Sequence, residues 1–285
     1  MALPLFRRGG NQKAEMTFVD HLEVLRWHII RSAIAVAVGA IFIFIYRQWV
    51  FDNVIAGPIN PNFISYRMFC DLSHWLHLGD ALCMPPVKVD LQITTVGGKF
   101  MAALSISIIG GFIVAFPFIF WEFWRFIRPA LKPSELKYSA LVISAVSFFF
   151  FMGAAFGYFV LGPFTFNFLS NFELGAAVVV DNKPILADYQ DMLVNILLGC
   201  GLAFELPVLA VVLTKLGLIT PDFLKKKRKY AIVIILVAAG IITPSPDWIS
   251  QLLVFIPLIF LYELSIILSK RSYKSMKKKE IEEWS

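Results

Sequence analysis

Apolar residues in this 285-residue chain come in long unbroken blocks, separated by short polar segments rich in lysine, arginine and proline. A helix needs about 20 mostly apolar residues to cross the hydrocarbon layer of a bilayer. The blocks predict spans at about 29–50, 99–124, 138–161, 191–214, 230–243 and 248–268. The stretch from Phe100 to Trp121 carries no charge, and the fourth block has a single ionisable residue, Glu205. Gly162-Pro163 is expected to end the third helix near Leu161, because proline lacks the amide proton and crowds the preceding turn. The last two spans are short and are parted only by Pro244, Pro246 and Asp247. Short spans must be met by bilayer thinning or by packing against neighbours.

Before the first block, Thr17 and Asp20 have the spacing of a capping box. Phe18, Leu22, Leu25 and Ile29 then recur as one helical stripe, which predicts a helix lying on the membrane surface. The first apolar run is longer than a secretory signal core and has no small-residue cleavage site after it, so it reads as a retained helix. The expected organisation is a polar lead over 1–16, one membrane domain over 17–268 and a basic tail over 269–285. The fold class is an all-α integral membrane protein with six transmembrane helices.

Composition agrees. Charged residues make up 16% of the chain against about 25% in an average soluble domain. That excludes a soluble enzyme domain, a disordered chain and a collagen-like repeat, and three cysteines are too few for a disulfide framework. Arg47, Arg67, Lys88, Lys99 and Lys183 are the basic residues within or flanking the odd-numbered connections (51–98, 163–190 and 244–247). The other 21 of the 26 lysines and arginines fall on the opposite side, including the run Lys225–Lys229. Positive charge gathers on the cytoplasmic side of spanning helices, so both termini are expected in the cytoplasm. The basic runs are read as topology determinants, and no folded basic domain suggests nucleic acid.

No nucleotide-binding loop or hydrolase motif is present, so neither an enzyme nor a cofactor is expected. His74 and His77 have ligand-like spacing but no carboxylates at matching positions, so no metal is expected. Cys70 and Cys83 share one loop and are either joined as a disulfide or two free thiols; Cys200 reads as packing. Gly153 and Gly157 fit a small-xxx-small helix contact within the chain. Glu205 is the strongest functional candidate, because an ionisable group at membrane depth is costly to keep. Glu23 and Asp20 on the first helix, and Glu135 in the proline-stiffened connection after the second, are acids on a basic face. There they suit a cationic ligand, since guanidinium–carboxylate pairs can be bidentate.

Four segments carry a family resemblance: HLEVLR at 21–26, Pro117 through WEFWRFIRPAL to Glu135, FELP at 204–207, and TPSPD at 243–247 followed by Pro257 and Glu263. Together they resemble the TatC family, the large integral subunit of the twin-arginine protein translocase, from about residue 16 to 268. The resemblance implies a signal-peptide receptor for folded cargo in the inner membrane. Such a receptor works in an oligomeric complex with TatA and, in the usual arrangement, TatB, and is driven by the proton-motive force. It implies that Glu135 contacts the arginine pair, that Arg26 and Phe126 match family positions of the same site, that Glu205 matches a polar residue within span four, and that Asp247 matches the acid of the last external turn. The chain departs from the pattern at Val24, where the family has glutamate; its acid is Glu23, about 100° away around a helix. Asp20, one turn before Val24, is the candidate compensator. A proton-coupled secondary transporter is the alternative, but it should show repeated halves, and none is visible.

Overall fold

The computed structural model describes residues 18–60, 62–75, 77, 79–80, 83, 91–127, 139–172, 183–243 and 248–284. In lipid every backbone N–H and C=O must find its partner within the segment, which leaves helices as the economical solution for these apolar blocks. Helix α1 (Phe18–Ile45) is one continuous rod of 28 residues. The expected surface helix is therefore not a separate element: no proline or glycine interrupts the chain between Phe18 and Gly39, so the amphipathic turns simply continue into the span. Leu22 and Ile29 of the predicted stripe remain exposed. Helix α2 (Ile64–Trp75) lies in the connection read from sequence as a loop, with Ser65, Tyr66 and Ser73 on its buried side. The Tyr66 hydroxyl donates to the carbonyl of Pro58 at 2.6 Å, and burial pushes its pKa up to about 12.

Helix α3 (Gly98–Ile127) accommodates Pro117 without ending. Helix α4 (Ser139–Phe156) passes through a π-turn at Gly157–Leu161 into α5 (Gly162–Ser170). The helix thus runs beyond the expected end at Leu161. The wider turn precedes the proline, and Pro163 falls in the first turn of α5, where a missing amide proton costs little. Helices α6 (Leu186–Ala203) and α7 (Leu206–Lys215) are separated by a break at Phe204–Glu205, with Pro207 again in the first turn. Helix α8 (Pro221–Lys226) is capped by the Thr220 hydroxyl, which accepts from the Phe223 amide. Helix α9 (Arg228–Ile242) has 15 residues, and α10 (Trp248–Trp284) has 37. Only the first of the last two spans is short, and the tail is the continuation of α10, since nothing between Ser269 and Trp284 breaks a helix.

Among the described residues, five helical stretches are long and apolar enough to cross a bilayer: Leu22–Ile45, Gly98–Ile127, Leu141–Ser170, Leu186–Lys215 and Trp248–Lys277. At 1.5 Å per residue, α9 reaches only about 22 Å of the roughly 30 Å hydrocarbon layer. The main core is built from α6, α9 and α10 with the end of the third stretch, around Leu161, Ile196, Ala239, Val254 and Leu258. Gly153 and Gly157 form the contact between α4 and α6: a Cβ on Gly153 would stand 2.4 Å from the Cys200 carbonyl oxygen. A smaller cluster joins α3, α4 and α7, where the rings of Phe116 and Phe150 stack.

Helix α1 attaches to this body along α3. Gly39 and Gly111 let the two backbones touch; a Cβ on Gly111 would lie 2.6 Å from the Ala40 nitrogen. Nearer the start of α1, the carboxylate of Glu122 is buried, with its Oε2 2.5 Å from His28 Nδ1 and 3.8 Å from Arg31 Nη1. Its Oε1 accepts from Arg125 Nη1 at 3.4 Å. This clamp and the glycine crossing hold α1 to the bundle at two depths.

Three outcomes are expected in thermal unfolding of the purified protein in detergent. Glu122→Ala strands a partly buried imidazole beside two guanidinium groups and should cost about 3 kcal/mol. Arg125→Gln, at a half-exposed partner, should cost less than about 1 kcal/mol. Gly111→Val forces a branched side chain against backbone that cannot yield, and should cost about 1–3 kcal/mol.

Candidate functional site

The first turns of α1 and the last turns of α3 together make one polar corner of the molecule. Glu23 and Arg26 are exposed there. Helical spacing puts Arg26 and Trp27 three and four residues from Glu23, on one stripe. Position 24 lies one turn before His28, on the neighbouring stripe that faces α3, and Val24 occupies it. Phe126 is partly buried at the end of α3, with its ring centroid 6.1 Å from that of His28 in an edge-on arrangement. Arg125 lies over the Trp121 ring at 5.0 Å.

Of the residues expected in the site, the structure therefore gathers Phe126 beside His28 and leaves Glu23 and Arg26 on the adjoining exposed stripe. Asp20 is in the first turn of α1, but its side chain lies outside the described residues, as do Glu135 and Asp247. The residues that sequence reasoning missed are His28, Arg31 and Glu122. An acid set between aromatic residues near the end of an apolar run was visible as a signal. Its partner, 94 residues earlier in the chain, was not.

Charge decides what this corner can bind. Glu122 is the acid nearest the apolar interior, yet it is already surrounded by one imidazole and two guanidinium groups. Arg31 and Arg125 leave the clamp cationic, so a guanidinium ligand is repelled from it. Glu23, exposed and without any described ion pair, is the acceptor such a ligand can reach.

Glu205 sits at the break between α6 and α7. Its Oε1 is buried and has no hydrogen-bond partner among the described residues. The carboxyl lies against the backbone of Phe150 on α4, inside the bundle. Glu263 is paired with Arg228 at 2.6 Å, both partly exposed, and this pair contributes little stability.

On the opposite face Cys70 and Cys83 are joined in a disulfide beside the end of α2. His74 Nε2 lies 3.0 Å from Asp80 Oδ1, so this histidine has a carboxylate partner that its spacing to His77 did not reveal. The side chains of Cys70, His74, Asp80 and Cys83 converge within 4.8 Å, but the two sulfurs are bonded to one another.

The family model for the Sec-independent protein translocase protein TatC matches residues 20–257. The chain is 39% identical to the TatC of Blattabacterium sp. subsp. Periplaneta americana, covering 94% of this chain and 99% of that protein. It is 34% identical to the TatC of Carboxydothermus hydrogenoformans, covering 90% and 93%. Among solved structures it is similar to a crystal structure of the twin arginine translocase receptor TatC, at 32% identity and a TM-score of 0.66, over 88% of this chain and 99% of that one. A second crystal structure of that receptor, in the detergent DDM, matches with a TM-score of 0.68. With the helical membrane bundle, the family model and near full-length relatives in agreement, this chain belongs to the TatC family of Sec-independent protein translocase proteins.

Proposed function

We propose that the chain is the signal-peptide receptor of a twin-arginine translocase in the cytoplasmic membrane, multi-pass with six crossings and with both termini cytoplasmic. The observation that carries this reading is its likeness, over 99% of that chain, to the solved twin arginine translocase receptor. Charge placement supports the orientation: the α1–α3 corner and the lysines of α8 and α10 all lie at connections that sequence assigns to one side.

In this reading the arginine pair of a signal peptide docks on Glu135, with Glu23 or Asp20 contributing, while Arg26 and Phe126 border the site. The Glu122 clamp positions the site without taking part in it. By holding α1 against α3 it fixes where Glu23 stands relative to the connection that carries Glu135. Its cationic character also keeps the peptide's arginines on the outer stripe. The apolar part of the signal peptide then lies along the spans. Glu205 contributes a hydrogen bond to a polar group on a TatA or TatB helix, and Asp247 belongs to the turn on the far side. Export of folded cargo follows at the expense of the proton-motive force, with no nucleotide.

The test is photo-crosslinking of a twin-arginine signal peptide to the purified chain, with probes beside Asp20, Glu23 and Glu135. Crosslinks should disappear when both arginines of the peptide are changed to lysine. Glu135→Gln should weaken peptide binding about 10- to 100-fold, the worth of one charge-assisted hydrogen-bonded pair. Equal labelling by both peptides would sink the receptor reading. Glu205→Leu should leave peptide crosslinking within about twofold and lower cargo export about tenfold, because it removes a hydrogen bond made to a partner rather than to the peptide. Loss of peptide crosslinking in that variant would move Glu205 into the peptide site.

A further inference from the structure

Helices α8 and α10 face one another where α10 leaves the bundle, tied by the Tyr262 hydroxyl, which donates to the Leu224 carbonyl at 2.8 Å. Between them is an open cleft of about 390 Å³. Its wall holds Lys225, Arg228, Lys270, Arg271 and Lys274, and its floor holds Ile266 and Ile267. The one acid of the cleft, Glu263, is already engaged by Arg228 at 2.6 Å. Lys225, Lys270, Arg271 and Lys274 have no carboxylate within ion-pair distance among the described residues. Lys225, Lys270 and Lys274 also line a second cleft of about 440 Å³ with Pro221, Asp222, Tyr273 and Lys277. Lys270 and Lys274 are one helical turn apart, so they stand on the same side of α10 and repel each other. With one acid in each cleft, Glu263 held by Arg228 and Asp222 outnumbered by lysines, these converging cations make a site for an anion.

The floor says which kind of anion. Ile267 is half exposed, so the cleft is apolar at one end and cationic at the other. Along α10, Lys270 and Arg271 stand roughly 5 Å beyond Ile267, and Lys274 about 10 Å. The polar headgroup layer is about 5–7 Å thick on each side of the hydrocarbon. With Ile267 at the edge of the hydrocarbon, that spacing puts the cations at headgroup depth and the isoleucines at the start of the acyl chains. A free phosphate would use the lysines and leave Ile267 in water; a phospholipid uses both.

We propose that the α8–α10 cleft is a specific binding site for an anionic phospholipid, with the headgroup phosphate among Lys225, Lys270, Arg271 and Lys274 and the acyl chains starting over Ile266 and Ile267. The site depends on the membrane placement of α10 and not on the signal-peptide reading. Bound lipid offsets the repulsion between α8 and α10 and so holds the connection after α7 against the last helix.

Native mass spectrometry of the full chain released from detergent, titrated with dioleoylphosphatidylglycerol, tests this. The triple variant Lys225→Gln/Lys270→Gln/Lys274→Gln should bind the lipid about a hundredfold more weakly than the unmodified chain. Lys274→Gln alone should lose about fivefold. The charge-matched variant Lys226→Gln/Lys227→Gln/Lys229→Gln, outside the clefts, and the variant with Lys225, Lys270 and Lys274 all changed to arginine should both stay within about threefold. Phosphatidylcholine should not occupy the site in any of them. An equal loss in the two glutamine triples would overturn the proposal in favour of diffuse charge attraction. Displacement of the lipid by inorganic phosphate at the same concentration would overturn it in favour of a free-anion site.

Discussion

Lipid cannot solvate a carboxylate, and that constraint explains how the first helix of this protein is held. Glu122 lies almost fully buried at the end of α3, and the groups that partner it come from α1 through His28 and Arg31 and from its own helix through Arg125. Without α1 in place, the buried charge would be answered only by the half-exposed Arg125. The cost of leaving it so holds α1 at one rotation about its axis, and the Gly39–Gly111 crossing sets the distance. Every residue that α1 contributes to the polar corner takes its direction from that rotation.

The same constraint governs the irregular turns. Where the helix after α1 loosens into the π-turn at Phe51–Ile55, its carbonyls are met by phenols from distant helices. Tyr158 donates to the Val54 carbonyl and Tyr189 to the Ile55 carbonyl, both at 2.6 Å. These bonds tie the connection after α1 to the third and fourth stretches, so at this turn protein side chains satisfy the loosened backbone. The break at Glu205 is the exception in kind. There a carboxyl oxygen, not a carbonyl, is buried without a described partner.

Charge is divided with the same economy. At the α1–α3 corner, Glu122 is consumed by the clamp and Glu23 stays exposed. At the α8–α10 end, cations converge and the single acid of the cleft is consumed by Arg228. Exposed Glu23 and the converging lysines and arginines thus stand on two separate surfaces.

Sequence by itself determined the class of this protein. Uncharged blocks admit only a helical membrane bundle, and the short ordered motifs pointed to the TatC family, because hydrophobic length and motif order are local properties of the chain. Glu205 was legible for the same reason, a charge in an apolar run. The tertiary structure decided what depends on partners far apart in sequence. It joined His28 to Glu122, seated Gly153 on Cys200, carried the helix past Pro163 by way of a π-turn, and ran α10 on to Trp284, where its lysines face α8. Each of these is a pairing or a register, and a pairing is settled by which groups can be buried together, which no window along the sequence contains.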